Sequence, residues 1–191
     1  MSTRVVTFLL AGLAVGGLAT VPVFAQGAMK SDTVMVGGAA MYPSKNIIEN
    51  AVNSKDHTTL VAAVKAAGLV ETLEGKGPFT VFAPTNEAFS KLPPGTVDTL
   101  LKPENKATLV KILTYHVVSG NYSAADLMKM VKAGGGKAML KTVEGDPLTI
   151  SENGMKLFVS GEKSGVAEVT ISNVNQSNGV IHVINTVVLP N

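Results

Sequence analysis

From Ala138 onward the hydrophobic period of this chain switches to two and stays there. Candidate strands Ala138–Val143, Leu148–Ser151, Lys156–Ser160, Ala167–Val174 and Val180–Leu189 follow in sequence. Gly145-Asp146-Pro147, Asn153-Gly154 and Asn178-Gly179 lie between them, and all three close tight turns well. Connections this short join antiparallel neighbours only, so the second part of the chain is committed to an antiparallel sheet. The first part reads as helices with a few strands. That order, helices first and hairpins after, predicts an α+β architecture rather than an alternating parallel one.

Ser44 is positioned to cap a short helix holding Ile47, Ile48 and Val52. Asp56 does the same for a helix with Leu60, Val61 and Val64 on one stripe, stopped by Gly68. Phe79 to Ala83 is rich in β-formers and ends at Pro84, which predicts a strand. Thr85 then occupies an N-cap position, with Ala88 and Phe89 turning inward. Pro93-Pro94-Gly95 is a turn, and Thr96–Leu101 a short helix. Pro103 opens a longer helix with Leu109, Ile112 and Leu113 on its buried face. Tyr115 to Val118 is read as a strand leaving that helix. Ser123 and Asp126 have capping-box spacing and start a helix through Val131, which Gly134-Gly135-Gly136 ends.

The first 25 residues have the three parts of an export signal. Arg4 supplies the positive end, Val5 to Leu18 is apolar, and Val23-Phe24-Ala25 places small residues for cleavage after Ala25. The apolar run is too short for a spanning helix and is broken by Gly12, Gly16, Gly17 and Pro22. The expected products are a flexible lead-in, 26–41, and one domain, 42–191, with no membrane insertion after cleavage and a secreted or periplasmic location.

The chain has no cysteine, which removes disulfides, thiolate catalysis and thiolate metal sites. Arg4 is its only arginine, and the lysines are scattered rather than striped, which argues against nucleic-acid binding. The three histidines, His57, His116 and His182, have no ligand partner at metal spacing, so no metal and no cofactor is expected. Gly134-Gly135-Gly136-Lys137 lacks the leading glycine of a phosphate loop, and Ala138 stands where a hydroxyl is required. No nucleophile motif accompanies any histidine, so the chain reads as a non-enzyme. Asn121-Tyr122-Ser123 and Asn175-Gln176-Ser177 match the glycosylation acceptor pattern, which ordinary turns also produce.

Three segments taken in order are specific. They are Thr80-Val-Phe-Ala-Pro-Thr-Asn-Glu-Ala-Phe89, Leu113-Thr-Tyr-His-Val-Val118 and Asn178-Gly-Val-Ile-His-Val-Ile-Asn-Thr-Val-Val-Leu-Pro190. Together they resemble the signature motifs of the fasciclin-like domain family, over about Tyr42 to Asn191, in a single-domain bacterial form. The resemblance implies a β-wedge or sandwich of mostly antiparallel strands with several helices packed on one side. It also implies adhesion without catalysis, by a monomer that binds a cell-surface or extracellular-matrix protein or polysaccharide.

Within those motifs, Thr85 and Asn86 suit backbone hydrogen bonds at a strand-to-helix corner. Phe89 belongs to the core. His182 lies in a strand apolar on both faces, which predicts a buried, neutral, hydrogen-bonded ring. Asn185 stands where the family often has aspartate, which weakens any charge network there. Tyr115, His116, Asn173 and Val174 are the candidate binding residues, since the corresponding regions of animal relatives are linked to integrin binding. Asn173 replaces the acidic residue of that pair, so integrin recognition is not carried over.

Two other readings are open. One is a periplasmic carrier of a small apolar ligand, prompted by Met128, Met130, Met139 and Met155 as adaptable packing residues. The other is a hydrolase using His116 or His182.

Overall fold

The computed structural model describes residues 33–191. The expected export signal and the first part of the expected lead-in lie outside them. Among the described residues, no helix is long and apolar enough to cross a membrane.

The chain opens with a hairpin, β1 (Val34–Val36) and β2 (Ala39–Met41), around Gly37-Gly38. Both glycines have positive φ, 58° and 75°. A Cβ at Gly37 would collide with the Ser54 hydroxyl, so only glycine fits. Val36 and Met41 are buried in the core. The lead-in expected to be flexible through residue 41 is therefore packed from Val34, and two buried side chains are what fix it.

Helix α1 (Ile47–Ala51) is capped by Asn46 rather than Ser44. Asn46 Oδ1 accepts from the Glu49 backbone N–H at 2.9 Å, and Glu49 returns the bond to the Asn46 N–H at 2.8 Å. The reciprocal box favours that start over Ser44. A single 3-10 turn, Lys55–His57, leads into α2 (Thr58–Ala67), which Gly68 ends in the left-handed conformation. Helix α3 (Val70–Glu74) follows, then strand β3 (Phe79–Pro84), α4 (Asn86–Ser90), α5 (Thr96–Leu100) and α6 (Lys106–Tyr115). Tyr115 completes α6 and His116 is its C-cap, so the strand expected from Tyr115 starts only at Val117. The i, i+3, i+4 stripe of Leu109, Ile112, Leu113 and His116 carries the helix past the β-favouring Tyr115.

Strand β4 (Val117–Ser119) and helix α7 (Ala124–Ala133) come next. The hairpins β5 (Lys137–Lys141), β6 (Pro147–Asn153), β7 (Lys156–Ser160), β8 (Val166–Gln176) and β9 (Gly179–Ile184) complete the fold. β9 ends at Ile184 rather than at Leu189. The seven-stranded sheet runs β4-β3-β9-β8-β7-β6-β5. All its pairs are antiparallel except β3 with β9, which run parallel from Phe79↔Gly179 to Pro84↔Ile184. The two ends of the sheet curl toward each other. The Val143 N–H reaches the Val117 carbonyl at 2.8 Å, and Val118 bridges Thr142. The sheet is thereby nearly closed, which leaves little free edge.

β3 and β9 are buried on both faces, as strands between two cores must be. On one face Val81, Ala83, Ile181 and Val183 meet the apolar faces of α1, α2, α4 and α6. On the other, Phe82 and Ile184 join the inward residues of β5–β8 and of α7. The parallel register sets Phe82 opposite His182, and their rings stack at 5.6 Å.

Candidate functional site

The corner between β3 and α4 carries the motif residues Thr85 and Asn86, and each caps a helix. Thr85 Oγ1 accepts from the Ala88 N–H at 3.2 Å and so caps its own helix, α4. Asn86 works across the fold. Its Oδ1 accepts from the Thr59 N–H at 3.0 Å and the Thr58 hydroxyl at 3.2 Å, while its Nδ2 donates to the Lys55 carbonyl at 2.8 Å. No local side chain caps α2, and Asn86 takes that place from a distant part of the sequence. Phe89 packs into the first core. Asn185 holds the end of β9 to β8: its Oδ1 accepts from the Glu168 N–H at 2.9 Å, and its own N–H donates to the Glu168 carbonyl at 3.1 Å.

The histidines are buried and hydrogen-bonded. His116 is 2 % exposed. Its Nε2 accepts from the Val188 N–H at 3.2 Å, so Nδ1 carries the proton and donates to the Ile112 carbonyl at 2.8 Å. Burial lowers its pKa to about 4 against an opposing pull from that carbonyl, so the ring is neutral. His182 has the opposite tautomer. Nε2–H donates to the Tyr122 carbonyl at 2.9 Å, and Nδ1 accepts from the Asn173 N–H at 3.4 Å. Burial lowers its pKa as well. With both nitrogens engaged, neither ring is free to act as a base or to hold a metal. Among the described residues, no three His, Asp or Glu side chains cluster to hold a metal ion.

Of the four candidate binding residues, three are inside. Tyr115 is 0 % exposed, with its hydroxyl donating to the Pro147 carbonyl at 2.8 Å. His116 and Val174 are buried too. Only Asn173 reaches the surface. It sits in the bulged part of β8 at a positive φ of 58°, and its Oδ1 accepts from the Ala124 N–H at 2.7 Å, at the start of α7. Tyr115, His116 and Val174 therefore serve the core. The strand reading of 115–118 assumed alternate faces, whereas the end of a helix buried both Tyr115 and His116.

Sequence reasoning missed the polar residues that fasten the helices to the sheet. Asn178 is buried in the β8–β9 turn. Its Nδ2 donates to the carbonyls of Leu73 at 2.7 Å and Gly75 at 2.9 Å, while Oδ1 accepts from the Ile47 N–H at 3.1 Å. Asn50, fully buried, pairs with Gln176 and with both backbone groups of Tyr42. An Asn-Gly pair reads as a turn in any sequence, and nothing local signals partners more than a hundred residues away. Among the described residues, the four methionines that suggested a ligand site line neither the cavity beside His57 nor the one beside Phe89. Met139 and Met155 are exposed, and Met128 and Met130 pack beside the second core.

The Fasciclin domain family pattern matches residues 55–190. The chain belongs to the fasciclin domain family. It is 45 % identical over 192 residues to Protein sll1483 of Synechocystis, covering 99 % of this chain and 97 % of that one. It is 41 % identical to the transforming growth factor-beta-induced protein ig-h3 of Sus scrofa, over 69 % of this chain but 17 % of that longer protein. In fold it resembles the FAS1 domain pair of the insect cell adhesion molecule Fasciclin I, with a TM-score of 0.69 at 19 % identity, over 78 % of this chain and 52 % of that one. The hairpin β1–β2 and helix α1 precede the residues that the family pattern matches, and both pack onto the first core.

Proposed function

We propose that this fasciclin domain is an exported, non-catalytic interaction module that acts as a monomer and attaches to cell-surface or extracellular-matrix material. The observation that carries the reading is how the family motifs are spent. Thr85, Asn86, His116, His182 and Asn185 all make internal hydrogen bonds, so the motifs build a scaffold and leave recognition to exposed loops. The adhesion role of the insect molecule with the same fold points the same way. The apolar N-terminal segment supports delivery outside the cytoplasm.

The test is capture from envelope extract by the purified protein spanning residues 26–191. A specific envelope polymer or protein should be retained, and should be competed off by the free domain. No retained component, together with unchanged surface attachment in a strain lacking the gene, would overturn the reading.

A further inference from the structure

We infer that the space walled by α4, α5, α6 and the segment after β9 is a binding site for a compact, uncharged aromatic molecule larger than benzene. The cavity there has a volume of about 260 Å³. Buried Phe89, Leu109, Ile112 and Val187 form its floor, and half-buried Leu100 and Leu189 its rim. Close packing leaves protein interiors few spaces larger than a water molecule. A cavity of this size against a core is destabilising, and an occupant restores the lost contacts. Helix α5 is the wall held most loosely. It buries no side chain, whereas α4 buries Ala88 and Phe89, and α6 buries Leu109, Ile112 and Leu113. A ligand therefore enters past α5.

The walls select the ligand. No ionisable side chain lines the cavity, so a carboxylate or an ammonium would lose its hydration with nothing in return. Thr96 carries the one hydroxyl among the lining side chains, where a water needs roughly two to four polar partners. Water is held poorly there, and an apolar molecule displaces it. Size decides next. In another protein an engineered cavity of ~150 Å³, lined by Leu, Ile and Phe, stays dry and takes benzene. The walls here are of the same kinds and enclose more room, which suits two fused rings. Phe89 adds a ring of its own to the floor. Aromatic pairs packed offset or edge-to-face gain more than their buried area alone, which favours an aromatic over a saturated ligand of equal size. Binding here needs no surface partner, so this site and the adhesive role can fail independently.

The experiment is an NMR titration of the whole protein with naphthalene, compared with benzene, decalin and 2-naphthoate. Methyl signals of Leu100, Leu109, Ile112 and Val187 should shift with naphthalene. Benzene should bind roughly tenfold more weakly, because it buries less apolar area. Decalin should also bind more weakly than naphthalene, and 2-naphthoate should leave the signals in place. Leu100→Trp fills the cavity from its rim and should abolish naphthalene binding. Should that variant fail to fold, the contrast between naphthalene and 2-naphthoate on the unaltered protein decides alone. Lining signals that stay fixed at saturating naphthalene would overturn the inference. So would equal binding of 2-naphthoate or of decalin, shifts confined to Ile48 and Val64 in the other cavity, or unchanged binding by folded Leu100→Trp.

Discussion

His116 is neutral because desolvation of a buried ring outweighs the carbonyl that would favour its charge. Its pKa falls from the ordinary 6.5 to about 4, and those of His57 and His182 fall in the same direction. As pH drops below 6.5 the unfolded chain takes up a proton that the folded chain refuses. Stability is therefore complete above 6.5 and is lost progressively down to about 4, by on the order of 3 kcal/mol for His116 alone. The melting temperature should be level from pH 8 to 7 and decline below, and His116→Gln should flatten that decline. An equal slope in the variant would place the titration elsewhere. Phe82 and Phe89 are the matching apolar case. Both are buried, one in each core, so replacing either by alanine should lower stability by about 3–5 kcal/mol in chemical denaturation. An unmoved midpoint would mean that the ring was not core.

Helices α1, α2, α4 and α7 begin where a side chain accepts a free N–H group, and for α2 and α7 a remote asparagine does so. Helix α7 has its own box in Ser123 and Asp126. It also leans on Asn173, whose positive φ turns the amide toward Ala124. Asparagine tolerates that backbone better than most residues. Asn173→Ala loses the bond and keeps the strain, at about 1–3 kcal/mol. Asn173→Gly loses only the bond and should be the milder change. Urea midpoints in the reverse order would show that the positive φ at residue 173 carries no strain cost. The caps of α1 and α2, which differed from expectation, follow from this. Ser44 and Asp56 had the right chemistry for capping, but Asn46 and the distant Asn86 had the geometry.

At the scale of the molecule, β3 and β9 form a shared wall between two cores, and the N-terminal hairpin closes the first of them. Val36 lies in that hairpin and Met41 ends it, each 3 % exposed. A chain shortened to begin at Tyr42 loses both side chains, each worth roughly 1.5–3 kcal/mol when buried. It should fold with a clearly lower melting temperature than a chain beginning at Thr33. Equal melting temperatures would show that the hairpin is an accessory outside the cooperative unit.

The run of period-two segments and Asn-Gly turns determined the antiparallel second half, because alternation and short connections admit no other pairing. The three ordered motifs determined the family, and the composition of β9 determined that His182 would be buried. Tertiary structure alone decided that β9 enters between β3 and β8 and runs parallel to β3, since strand order depends on packing across the whole sheet. It also decided that Tyr115, His116 and Val174 face inward. A helix that runs through Tyr115 to its C-cap at His116, and a bulge in β8, reset which faces are buried. The hairpins read from residue 138 onward thus form most of the sheet, and the two cores on either side of β3 and β9 fix which side chains reach solvent.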